Sequence, residues 1–164
     1  MSNLKRGRVN WTLLVASAAG ITLLASGGSS HAQSLGQLAN PSVRLWYEGT
    51  GRLSDNIAPP RDFALWNAII GEGTAEENAN DALFTVEIHA NGEQNIATPL
   101  TMTATNSKGK ILGQRIFSGF LTSHDGKVVA PLWIRNVGCA GRVNFSARFG
   151  RQKESVTLNF DCGE

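Results

Sequence analysis

Two cysteines, Cys139 and Cys162, and three histidines are the side chains of this 164-residue chain best suited to covalent, metal or proton chemistry. The cysteines do not form a C-x-x-C motif. No lysine or histidine lies within four residues of either to draw its thiol toward thiolate. A zinc site built on them would need two further ligands. His89 falls on the polar side of an alternating stretch, and His124 sits in the turn-like "SHDGK". An acidic loop, "GTAEENAND", and its flank supply Glu72, Glu76, Glu77 and Asp81. It lacks the D-x-D-x-D-G order of a calcium loop, so its carboxylates read as solvated charge. No G-x-S-x-G or S-x-x-K marks a nucleophile, and there is no phosphate loop or dinucleotide fingerprint. The chain is therefore expected to be non-catalytic, with no cofactor and no metal. The competing reading is a small metal-binding or hydrolytic enzyme using His89, His124 and the acidic loop, which requires the two histidines to converge.

The amino-terminal region reads as a secretory signal peptide. Lys5, Arg6 and Arg8 precede an apolar run over 11–25, and "SGGSSHA" follows. Ser30-His31-Ala32 suits a small-x-small cleavage site, so residues 1–32 would be removed. The run is short for a membrane span, which needs roughly 20 residues. The product would be periplasmic or secreted, without stable membrane insertion. Removing three of the 15 basic residues leaves 12 against 13 acids, so the basic balance of the whole chain does not indicate nucleic acid. Residues 33–99 carry three basic residues against nine acids, and residues 100–164 carry nine against four. Attraction between the halves within one fold is the simpler reading of this asymmetry, and a basic face for an anionic partner is the sharper one.

The elements that must position these residues are strands. Residues 33–41 read as a flexible lead-in and 42–164 as a single domain. A first strand is expected within 42–51. A short helix is expected over about 62–71, with Asp62 as its cap and Phe63, Trp66 and Ile70 on one face. From Ala82 onward the apolar period is two: Phe84, Val86 and Ile88, then Leu100, Met102 and Ala104, then Val128, Ala130, Leu132 and Ile134. Gly113 and Gly119 interrupt one stretch, marking a bulge or a change of sheet. Pro131 places its strand at an edge or a bulge. About seven short strands at this spacing predict an antiparallel immunoglobulin-like β-sandwich. The pattern resembles bacterial immunoglobulin-like domains in architecture and carries no specific family motif.

The last 25 or so residues allow a register to be derived. "RVNFSARF" and "ESVTLNFDC" alternate cleanly, and Gly150-Arg151 between them suits a type II′ turn. Facing residues then have numbers totalling 301, which sets Arg148 against Lys153, Val143 against Leu158 and Cys139 against Cys162. Opposed strand residues lie about 4.5–5.5 Å apart, within reach of a disulfide. In an exported chain two cysteines so placed predict a staple worth about 3 kcal/mol by loop entropy. Ala140-Gly141 is where a bulge would disturb this register.

The hairpin presents a basic tip of Arg148, Arg151 and Lys153. Its simplest role is to blunt an exposed sheet edge, and its sharper role is to bind an anion. Trp46 and Tyr47 must face opposite sides of their strand. Trp133 falls opposite the regular apolar set of its own strand, and the 62–71 helix is expected to cover it. Exposed aromatics in a sandwich are anchors for partners. The expected function is an exported binding or accessory domain that engages an envelope protein or an anionic polymer through the basic tip, Trp46 and Trp133. The other protein-binding reading is an inhibitor of an envelope enzyme that projects the acidic loop.

Overall fold

The computed structural model describes residues 36–66 and 75–161. The chain divides into two units, Met1–His31 and Ala32–Glu164. The first unit and the expected cleavage site lie outside the described residues. Ten strands are described in the second: β1 Gln37–Tyr47, β2 Arg52–Leu53, β3 Ala79–His89, β4 Asn95–Ile96, β5 Leu100–Asn106, β6 Ile111–Phe117, β7 Phe120–Leu121, β8 Lys127–Ile134, β9 Gly141–Phe149 and β10 Gln152–Phe160. All pairings are antiparallel. They form two four-stranded sheets, β2-β1-β3-β8 and β10-β9-β5-β6, and a small β4-β7 ribbon.

The period-two pattern builds the core between the two large sheets, the layout of a β-sandwich. Phe84, Val86 and Ile88 of β3 are fully buried, as are Val143 and Phe145 of β9. Phe84 meets Phe145 across the layers with ring centroids 5.6 Å apart, and Phe145 meets Phe160 at 5.8 Å. Burying each such side chain contributes about 1.5–3 kcal/mol. Pro131 lies in β8, which among the described residues pairs only with β3 and is an edge strand. Proline suits an edge because it cannot donate to a further strand.

Several elements differ from the expected ones. β1 begins at Gln37, inside the stretch read as a lead-in. It carries Pro41 because the ladder slips between Ala39 and Ser42, with Asn40 at φ 49, and a bulge tolerates proline. Three two-residue strands add to the expected seven. The break at Gly119 separates β6 from β7, and a Cβ there would lie 2.8 Å from the Ile96 carbonyl. No helix is present among the described residues. Residues 62–66 of the expected helix are irregular, and 67–71 lie outside the described residues. Phe63 packs edge-on against Phe160 at 5.3 Å, and the Leu65 carbonyl accepts from Ala79 N–H at 2.8 Å. Tertiary contacts thus override the local helical spacing in that segment.

Candidate binding surfaces

The terminal hairpin follows the derived register from Gln152 opposite Phe149 to Phe160 opposite Gly141. Gly150 has φ 57 while Arg151 is not left-handed, which fits a turn with glycine first. Arg148 therefore stands directly against Lys153, with Thr101 of β5 on its other side. Arg148, Arg151 and Lys153 are all exposed, and none of their side chains makes an ion pair or hydrogen bond among the described residues. Two facing cations repel, and an anion placed between them relieves the repulsion.

The tip is one end of a polar sheet face. Register places Thr101, Thr103 and Thr105 of β5 beside Arg148, Ser146 and Asn144 of β9. Lys153, Ser155 and Thr157 of β10 continue the rows. The only acid within β5, β6, β9 and β10 is Glu154. It pairs with buried Ala147, on the parity of the inward residues.

The tryptophans lie on the outer face of the other sheet. Trp46 is opposite Asp81, and Trp133 is opposite Leu83. Their rings meet diagonally across β3, edge to face at 5.3 Å. Trp133 Nε1 donates to Asp81 at 2.9 Å, and the other Asp81 oxygen accepts from Asn136 N–H at 2.9 Å. Tyr47, on the opposite side of β1, is buried as the alternation requires. Trp133 stays 39% exposed, and Val129, farther along the same face of β8, is 56% exposed. The expected cover does not form among the described residues. Phe63 turns to Phe160, and Trp66 packs where a side chain on Gly138 would stand.

The basic tip and the tryptophans are not brought together. Gln152, beside the tip, bonds to Leu38 near the start of β1. Trp46 lies near the other end of that strand, about 27 Å along.

The acidic loop and the histidines are not brought together, although His89, opposite Lys127, and His124, in the Ser123–Lys127 turn, lie at the same end of the β3-β8 pair. His89 Nε2 lies 2.5 Å from Glu87, which also accepts from Asn40 at 2.8 Å. The His89 bond, with that from Asn40, holds the Glu87 carboxyl below its ordinary value. His124 is exposed in its turn. The neighbouring Ser123 hydroxyl bonds the Asp125 carboxylate and accepts from Lys127 N–H at 3.3 Å, closing the turn rather than facing His124. Asp81 stands about 27 Å along β3 from His89. Glu77 pairs with Arg52 at 2.5 Å and Thr50 at 2.7 Å, which lowers its carboxyl. Glu76 accepts from the Tyr47 hydroxyl at 3.1 Å. Burial and that bond raise the Tyr47 phenol. Glu72 lies outside the described residues. Among the described residues no three His, Cys, Asp or Glu side chains form a metal-binding group.

Cys139 occupies a left-handed position, φ 58, just before the hairpin ladder starts at Gly141. Cys162 lies outside the described residues, and no free cysteine is found among those described.

No protein-family model and no curated protein matches this chain. The contact between Trp46 and Trp133 and the role of Asp81 were not read from the sequence. Both depend on the mutual register of β1, β3 and β8, which no local turn dictates.

Proposed function

We propose that this protein is an exported, non-catalytic binding domain of the periplasm or extracellular space, and that its partner is anionic, an envelope protein or a polymer. The observation that carries this reading is the face of β10-β9-β5-β6. Its cations Arg142, Arg148 and Lys153 stand among hydroxyl and amide side chains, and the strands' single acid is on the inward parity. Unpaired cations on a rigid sheet present a fixed positive potential, which speeds and orients an anionic partner. The strand order β10-β9-β5-β6 against β1-β3-β8 supports an immunoglobulin-like arrangement.

A Cys139–Cys162 staple completes the proposed scaffold. Continued two residues beyond its last pair, Phe160 with Gly141, the same register would set Cys139 against Cys162. Mass measurement with and without reductant tests it, and two alkylatable thiols in the exported protein would remove the staple.

Binding is tested on immobilised polygalacturonate and in pull-downs from envelope extract. The Arg148→Ala/Arg151→Ala/Lys153→Ala variant should elute at lower salt and lose partners. Equal elution and unchanged partners would refute the basic-tip reading.

A further inference from the structure

The two sides of the sandwich are sealed unequally. Along β1, the chain caps its own edge with polar side chains. Leu45 N–H donates to Ser54 Oγ at 2.9 Å, and Val43 N–H to Asn56 Oδ1 at 3.0 Å. Ile57 N–H closes on the Val43 carbonyl at 2.8 Å. On the far side, β8 carries Pro131 and closes on β6, where a Cβ on Gly113 would lie 3.4 Å from Ile134.

β10 is held at its start, where Gln152 bonds Gly36 and Leu38 of the chain entering β1, but it has no such backbone cover from Ser155 onward among the described residues. The two-residue turn makes Phe149/Gln152 a hydrogen-bonded pair, so alternate residues from Gln152 onward bond to β9. The N–H and C=O groups of Ser155, Thr157 and Asn159 therefore point away from the sheet. They make no backbone or side-chain hydrogen bond among the described residues. Two open grooves flank this edge and share Pro60 and Thr157. The first, about 1110 Å³, runs past Ser155, Val156 and Thr157 over apolar walls such as Pro59 and Leu83. The second, about 560 Å³, continues past Leu158 and Asn159. Arg44 lines the first, and Arg61 and Arg142 line the second. None of these arginines has an ion-pair or hydrogen-bond partner among the described residues. The acids present are Asp62 and Glu87, and Glu87 is already held by His89 and Asn40.

We propose that the open edge of β10 takes up an acidic, extended polypeptide segment as an additional strand, its backbone bonding Ser155, Thr157 and Asn159 and its carboxylates meeting Arg44, Arg61 and Arg142. Main-chain bonds supply the affinity in strand addition, and side-chain sites on the flanks supply the selectivity. The segment is extended because only an extended backbone matches the spacing of the free groups. It is acidic because three unpaired arginines line the track. This rests on the anionic-partner reading and specifies a polypeptide rather than a polymer.

The test titrates the protein with acetyl-EVEVEVE-amide by calorimetry, with the same peptide N-methylated at alternate residues in both phases, and with polygalacturonate. Expected are saturable binding of the parent peptide and at least a tenfold loss in one N-methylated phase. Amide exchange of Ser155, Thr157 and Asn159 should slow on binding. Thr157→Pro, which deletes an outward N–H, should weaken binding at least tenfold relative to Thr157→Val, which removes only the hydroxyl that accepts from Asn144 of β9. Arg44→Glu/Arg142→Glu, which alters only surface charge, should do the same. Equal binding of both N-methylated peptides overturns strand addition and leaves the anionic reading standing. So does binding of polygalacturonate alone, and so does dimerisation through β10. Binding of neither probe overturns both readings.

Discussion

The carboxamide of Gln152 is the clamp that holds the start of β1 to the other sheet. Leu38 N–H donates to its Oε1, and its Nε2 donates to the Gly36 carbonyl, each at 2.8 Å. The partners are 114 and 116 residues away in sequence. Gln152→Ala removes both bonds and leaves a half-buried donor and acceptor without protein partners. At a net ~0.5–1.5 kcal/mol per bond, the pair contributes about 1–3 kcal/mol. With a urea slope of ~2 kcal/mol/M, the unfolding midpoint should fall by about 0.5–1.5 M. Gln152→Glu separates the two halves of the clamp. At neutral pH it keeps the acceptor for Leu38 but turns a second carboxylate oxygen on the Gly36 carbonyl. That contact disfavours the charged form, so the carboxyl pKa rises in the folded state. The Glu variant should then recover toward wild type as the pH falls, when a protonated carboxyl can donate to Gly36. Urea unfolding followed by tryptophan fluorescence, with wild type at each pH as reference, reads both effects. A Gln152→Ala midpoint no lower than that of an exposed Lys153→Ala control would refute the clamp.

Phe145→Ala, which removes a ring touching both Phe84 and Phe160, should cost about 3–5 kcal/mol in chemical denaturation, against at most ~0.5 for exposed Ile116→Thr. Glu77, Glu87 and Asp125 all have lowered folded-state pKa values, chiefly through hydrogen bonds from Arg52, His89 and Ser123 respectively. Their stabilisation is therefore present above the ordinary carboxyl range and lost as the pH falls through and below about 4.5, the usual glutamate value. Urea midpoints at pH 7 and pH 3.5 should show this, with a smaller drop for Glu87→Gln. Asp81→Ala removes the acceptor of Trp133 Nε1 and Asn136 N–H. It should cost about 1–2 kcal/mol and make Trp133 fluorescence more readily quenched by acrylamide, and unchanged quenching would count against the packed tryptophan pair.

The features legible in the sequence were those set by neighbouring residues. Alternation along β3, β5, β9 and β10 identifies their buried faces because a strand has a period of two. The terminal hairpin gives up its register because a two-residue turn with Gly150 first permits one pairing. The basic tip follows from that register. The segment 62–66 shows the limit of the same reasoning. Its spacing suits a helix, but Phe63 and Leu65 are held by Phe160 and Ala79 instead. Only the tertiary structure decided which outward residues meet. Trp46 and Trp133 touch across β3, Gln152 reaches back to Gly36, and three arginines from distant segments line the grooves beside β10. Each joins residues separated by dozens of positions, through pairings that no short turn constrains. The composition of a strand determines which side is apolar, whereas its neighbours, and the edge left without one, are chosen by packing of the whole core.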